Sequence, residues 1–138
     1  LAFLVLSVGL LFATPQKNDC GCPKPPATTS CDENQAAICR SVGRRCEGKC
    51  VTHRNQVNAF DFAGNILTLV FNREKELTAG DIRDQPKTFE PIISSLITSA
   101  QTGKLVTLKL DNANVTVCIG LSNTAIGRLI EARDQLRR

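Results

Sequence analysis

Tyrosine, tryptophan and methionine are absent from this 138-residue sequence, and histidine occurs once, as His53. Without Tyr or Trp there is no large aromatic platform for stacking bases, so nucleic acid is not an expected partner. One imidazole is too few for the histidine-rich ligand sets of catalytic zinc sites. His53 falls in a polar stretch, where a solvated surface role is expected. No Gly-x-Ser-x-Gly nucleophile turn and no phosphate-cradling glycine loop occur. Asp81, Asp84 and Glu90 gather near a helix start, where capping and the helix dipole already favour acids. Residues 78–84 offer too few alternating oxygen ligands for a calcium loop. The sequence therefore predicts no enzyme, no metal and no cofactor.

Cysteine is what the sequence has in excess. Seven are present, and six of them fall between residues 20 and 50. They follow an uncharged apolar run, Leu1 to Ala13, that has the length of a signal-peptide core and is too short to span a bilayer. Residues 1–13 read as a signal peptide incomplete at its N-terminus, with cleavage expected after Ala13. No later stretch is long and apolar enough for a transmembrane helix, so a secreted, extracellular product that does not span the membrane is expected. Behind such a leader, Cys20, Cys22, Cys31, Cys39, Cys46 and Cys50 read as a disulfide framework. Their spacings lack the paired C-x-x-C knuckles of a zinc site. Six cysteines allow fifteen pairings, and spacing alone selects none of them. The seventh, Cys118, is the expected odd thiol, available for an inter-chain or inter-module bond and hence for a disulfide-linked homo-oligomer, or else buried and inert.

Composition divides the rest of the chain near residue 56. Residues 14–56 are rich in Cys, Pro and Gly and poor in large apolar side chains, a module expected to depend on its disulfides. A short helix is expected from about Asp32 to Arg40, with Asp32 as its cap. Residues 57–138 have ordinary globular patterning. Ile66 to Phe71 reads as a buried strand, with Val57 to Phe62 as its partner across an Ala63-Gly64-Asn65 turn. Phe89, Ile92, Ile93, Leu96, Ile97 and Ala100 follow helical spacing, with Thr88 as N-cap, Pro91 in the first turn and Gly103 as the stop. Leu105 to Leu110 and Val115 to Leu121 alternate as a strand pair about the turn residues Asp111 to Asn114. A last helix begins at Ser122 and buries Ala125, Ile126, Leu129, Ile130, Ala132 and Leu136. The fold class expected is α+β: a disulfide-rich N-terminal module, then an antiparallel sheet carrying two helices in ferredoxin-like βαββα order.

Leu67-Thr68-Leu69-Val70-Phe71, Glu76-Leu77, then Phe89, Ile93 and Ile97, followed by two strands, resemble an SEA module. That family is an extracellular ferredoxin-like domain of mucins and other glycosylated surface proteins, and the likeness covers residues 57–138. Its Gly-Ser self-cleavage turn would fall near Asp111 to Val115, where this chain has Asp-Asn-Ala-Asn-Val. The resemblance therefore implies a non-cleaving relative. The family's last strand would follow Arg138, where the sequence ends.

Asn114-Val115-Thr116 is an N-x-T sequon, which makes Asn114 a candidate glycosylation site. With Val115, Val117, Ile119 and Leu121 facing the core, alternation would send Asn114, Thr116 and Cys118 to the outer face together. The net charge is +4, and residues 16–56 carry seven Lys or Arg against four acids. Arg40, Arg44, Arg45 and Lys49 could form a basic face for acidic proteins or anionic glycans. The leading expectation is a secreted, non-catalytic interaction or matrix protein. The alternative is a disulfide-rich serine-proteinase inhibitor or toxin-like effector, with Arg44 or Arg45 presented on a loop between Cys39 and Cys46.

Overall fold

The computed structural model describes residue 32 and residues 35–42, 45–52 and 58–138. Its described part is α+β, with antiparallel ladders and four helices. The proposed leader at 1–13, Cys20, Cys22, Cys31, Arg44 and His53 lie outside the described residues, as do the side chains of Arg45 and Cys46.

Gln35–Val42 forms strand β1 and Arg45–Thr52 forms β2. They pair antiparallel from Gln35 opposite Thr52 to Val42 opposite Arg45. This replaces the helix expected over Asp32 to Arg40. Ala36 and Ile38 are core residues, and Arg40 points the same way, a spacing of two that belongs to a strand with one buried face. Asp32 does serve a turn, since its carbonyl accepts the Gln35 N–H at 2.9 Å.

Helix α1, Ala59–Phe71, occupies the segment expected to be a strand pair. The Asn58 side chain caps its start by accepting the Asp61 N–H at 2.8 Å, and Asn72 ends it in the left-handed conformation. Ala59, Phe60, Phe62, Ala63, Gly64, Ile66, Leu67 and Val70 are all buried, so nearly the whole circumference is covered. Such a helix loses the one-sided periodicity that would distinguish it from a buried strand. Gly64 is no turn residue. A methyl group placed there would collide with the Leu77 carbonyl oxygen and lie 3.2 Å from its carbon, so glycine admits the returning chain. Thr68 fixes the same crossing: its hydroxyl donates to the Gly64 carbonyl at 2.8 Å and accepts the Leu77 N–H at 2.9 Å.

The short helix α2, Ala79–Arg83, starts in a reciprocal capping box between Thr78 and Asp81. Helix α3, Pro86–Thr102, follows at once. It begins before the expected cap, at Gln85, so Thr88 is internal and Pro91 lies beyond the first turn. Proline at that depth leaves the Lys87 carbonyl without its usual helical donor. Gly103 ends α3 at φ 74°.

Strand β3, Val106–Leu110, pairs with β4, Ala113–Val117, through the two-residue turn Asp111-Asn112. Both turn residues have positive φ, 50° and 67°, as a type I′ hairpin turn requires. The expected second strand is in fact divided. After Cys118, β5 (Ile119–Leu121) leaves β3 and pairs with β1 instead, giving a three-stranded sheet in the order β2-β1-β5. Helix α4, Asn123–Leu136, closes the chain, with the Ser122 side chain accepting the Ala125 N–H. Ala36, Ile38 and Val51 share one core with residues from all four helices and from β3, β4 and β5. The compositional break at residue 56 is thus not a break in the core. The Leu67–Phe71 segment quoted for the SEA resemblance lies within helix α1.

Candidate functional site

An open cleft of about 510 Å³ lies between helix α3 and the β3–β4 hairpin. Thr88, Pro91, Ile92 and Ser95 form one wall, Thr107, Leu108 and Lys109 the other, and Asp111 and Asn112 close one end with Gln85. Its size falls within the range of small-ligand sites, and it joins hydroxyl and amide groups to apolar contacts from Ile92 and Leu108. Gln85 and Asp111 also line an adjoining hollow of about 130 Å³ that includes Arg73, Lys75 and Asp81. Arg73 and Asp111 form an ion pair of 3.3 Å at this junction. Sequence reading did not find the cleft, because its walls come from segments far apart in the chain. Its only signal was the hydroxyl-rich outer side of α3 around a mid-helix proline.

The acids near α2 and α3 have structural partners. Asp81 accepts the Thr78 N–H at 2.9 Å, and the hydrogen bonds from Thr78 hold its carboxyl below the usual value. Arg137 Nε donates to Glu90 Oε1 at 2.7 Å and Ser94 Oγ donates to the same oxygen at 3.0 Å. The Arg137 hydrogen bond is the main cause of Glu90's lowered pKa, and the pair ties α4 to α3. Both shifts keep the carboxylates ionised, opposite to the raised value a catalytic acid would need near neutrality. Among the described residues, no group of three or more His, Cys, Asp or Glu is placed to hold a metal ion, and no helix is long and apolar enough to cross a membrane.

Of the expected basic face, Arg40 and Lys49 line one small pocket beside Ile38, Leu69 and Val70. Arg40 turns inward, and its Nη1 donates to the Leu69 and Val70 carbonyls at 2.9 and 2.7 Å. It thereby satisfies the C-terminal end of α1, where a cation is favoured. Lys49 is exposed. The expected inhibitor loop is the end of the β1–β2 hairpin, with Ser41 paired to Cys46 and Val42 to Arg45. Cys39 is reduced, so no disulfide at that position braces the loop.

That free Cys39 corrects the expected framework. It is 7% exposed, and burial pushes its thiol pKa up. Cys50 and Cys118 are both disulfide-bonded. Cys118 has no exposed surface, and its sulfur lies 3.2 Å from the Gly103 carbonyl oxygen. It does not share an outer face with Asn114, which is exposed on β4 opposite Lys109. A bonded Cys118 within one chain is not available for the expected link to a second chain. Beside it, the buried Ser99 donates to the Lys104 carbonyl at 2.8 Å and accepts the Ile119 N–H at 3.0 Å. This joint holds the end of α3 against the point where β4 gives way to β5.

No protein-family model, curated protein or solved structure matches the chain.

Proposed function

We propose that this chain is a secreted, non-catalytic extracellular interaction or structural protein, glycosylated at Asn114. The observation that carries this reading is the oxidised state of Cys118 at zero exposure. A disulfide enclosed in the body of a fold has to form while that fold assembles. Such assembly belongs to an oxidising compartment, in keeping with the signal-like run at residues 1–13. The open position of Asn114 in β4 suits a sequon that meets the glycosylation machinery there. The structural engagement of Asp81 and Glu90 supports a binding role over a catalytic one. The cleft beside α3, with its hydroxyl, amide and apolar lining, is the surface offered to a protein partner.

The test is intact mass after expression behind a complete signal sequence in a secretory eukaryotic host. The expected product is a monomer carrying three disulfides, with a mass that falls on enzymatic deglycosylation and returns to the parent value in Asn114→Gln. A folded product with seven reduced thiols and no glycan would overturn the reading.

A further inference from the structure

We propose that the cleft between α3 and β3 takes an extended peptide segment of a partner protein, added as a strand to the free edge of β3. Its apolar side chains, at alternate positions, face Ile92 and Leu108, and an acidic residue between them stands beside Lys109. The inference deepens the reading of this cleft as a surface for a protein partner, and rests on it.

The lining shows which part of the hairpin borders the cleft. Thr107, Leu108 and Lys109 are consecutive, and β4 supplies no lining residue. Leu108 is buried while Thr107 and Lys109 are exposed, so side chains from both faces of β3 reach the same hollow. Successive side chains of a strand point to opposite faces, and a hollow that meets both runs along the strand's edge. The edge is the one away from β4, since β3 pairs with β4 alone.

The register then says what that edge offers. The two-residue Asp111-Asn112 turn makes Leu110 and Ala113 a mutually hydrogen-bonded pair. Such pairs alternate along an antiparallel ladder, so Leu108 with Val115 and Val106 with Val117 are bonded likewise. Thr107 and Lys109 stand at the intervening positions and direct their N–H and C=O groups outward. The 3.3 Å contact between the Thr107 and Thr116 hydroxyls agrees, because side chains approach most closely at the unbonded positions. Among the described residues, no turn or loop backbone hydrogen bond reaches Thr107 or Lys109 from another segment. Two donors and two acceptors at strand spacing are therefore presented to the cleft, and the group that matches them all is an extended backbone.

Side chains narrow the choice of strand. A residue added beside Leu108 points to the inner face, against Ile92 of the helix wall, and is apolar. One added beside Lys109 points outward. Lys109 lies opposite Asn114 and has no acidic partner among the described residues, while the neighbouring Asp111 is engaged by Arg73. An acid at that position supplies the missing charge. Leu105, 63% exposed just before β3, gives a longer segment a further apolar contact at the end away from the turn. A second copy of this chain fits less well: its β3 brings β4 with it, and α3 walls the side where that strand would lie.

The test screens the full chain, produced in a secretory host, against a phage-displayed library of random linear decapeptides. The expected peptides alternate apolar residues and carry an acid at an intervening position. With the best of them synthesised and bound at saturation, amide hydrogen exchange followed by proton–nitrogen NMR should slow about tenfold at Thr107 and Lys109. Leu108 and Leu110, already bonded to β4, should change less. Thr107→Pro removes an N–H that the hairpin does not use and should weaken binding about tenfold. Lys109→Glu, an exposed change, should weaken it about fivefold and turn the selected acid into a base. A peptide that perturbs Thr88, Ile92 and Ser95 but leaves exchange at Thr107 and Lys109 unchanged overturns strand addition while the cleft remains a protein-binding surface. A dimer in sedimentation equilibrium that Thr107→Pro dissolves gives the edge to a second copy and overturns the peptide assignment. No enriched peptide, or one that binds away from the cleft, removes the inference and the cleft reading together.

Discussion

Gly64→Ala and Gly127→Ala make the same chemical change in two helices and should move stability in opposite directions. At Gly64 the added methyl group meets the backbone carbonyl of Leu77, which is itself held by the Thr68 hydroxyl through Leu77's N–H. A backbone clash cannot be relieved by a rotamer change, so the crossing chain has to retreat. Overpacking of this kind costs about 1–3 kcal/mol, and weakening the Thr68 hydrogen bond adds about 1 kcal/mol. The better helix propensity of alanine returns about 1 kcal/mol. The net is a destabilisation of about 2 kcal/mol, or a fall in Tm of roughly 8 °C at about 4 °C per kcal/mol for a chain of this size. At Gly127, within α4, nothing lies within 4 Å of the new methyl group. Only the propensity gain remains, about 0.5–1 kcal/mol, raising Tm by roughly 2–4 °C. Thermal unfolding followed by circular dichroism at 222 nm, with the disulfides intact, measures both. Equal shifts for the two variants, or a Gly64→Ala protein as stable as its parent, would refute the close crossing of α1 by residue 77.

Arg40→Ala should lose about 2–3 kcal/mol in urea denaturation, because two carbonyls at the end of α1 lose a charge-assisted donor. Lys49→Ala, its exposed neighbour on the sheet, should stay within about 0.5 kcal/mol of the parent. Ser99→Ala should cost about 2–3 kcal/mol by leaving the buried Ile119 N–H without its acceptor, and hydrogen exchange should accelerate at Ile119 before it does at Phe62. Glu90, whose pKa Arg137 lowers, stabilises the fold above the ordinary carboxylate range and loses that contribution as pH falls through its depressed folded-state value. Arg137→Ala should raise the Glu90 pKa measured by carboxyl-carbon NMR. Its stability deficit, below about 1 kcal/mol for so solvent-exposed a pair, should vanish at the acid end; an unchanged Glu90 titration would refute the pairing.

The parts of the fold that were legible in the sequence are those with one buried face and a recognisable end. Helix α4 shows both, in the Ser122 cap and the apolar stripe through Ala125, Leu129 and Ala132. Helix α3 shows its stripe and its Gly103 stop, and the β3–β4 hairpin its left-handed Asp111-Asn112 turn. Helix α1 was illegible because burial on nearly all sides erases the stripe, and because Gly64 serves a close approach where glycine also marks turns. The β1 strand was hidden for a different reason. Ala36-Ala37-Ile38 has good local helix propensity, and only pairing with β2 and β5 makes it extended. The cleft beside α3 had almost no linear signature, since its two walls meet only after the hairpin folds back. Cys50 was legible as a disulfide cysteine, but the reduced Cys39 could not be told from it by spacing.

The choice of odd thiol follows from one strand serving two ladders. Had residues 113–121 run as a single strand beside β3, Cys118 would have stood on the solvent face in line with Asn114 and Thr116. Instead the strand leaves β3 after Val117, Ser99 captures the Ile119 N–H, and Ile119–Leu121 pairs with β1. That shift takes Cys118 out of the exposed hairpin and sets it against Gly103 at the end of α3, fully buried. The same pairing sets Gly120 beside Cys39, whose other neighbour is Gly48, so neither flanking strand offers Cys39 a sulfur. Replacing Gly48 with cysteine would supply the missing partner at the adjacent position. If denatured Gly48→Cys protein then resists alkylation at Cys39 where the parent reacts, register, and not reactivity, keeps this thiol reduced.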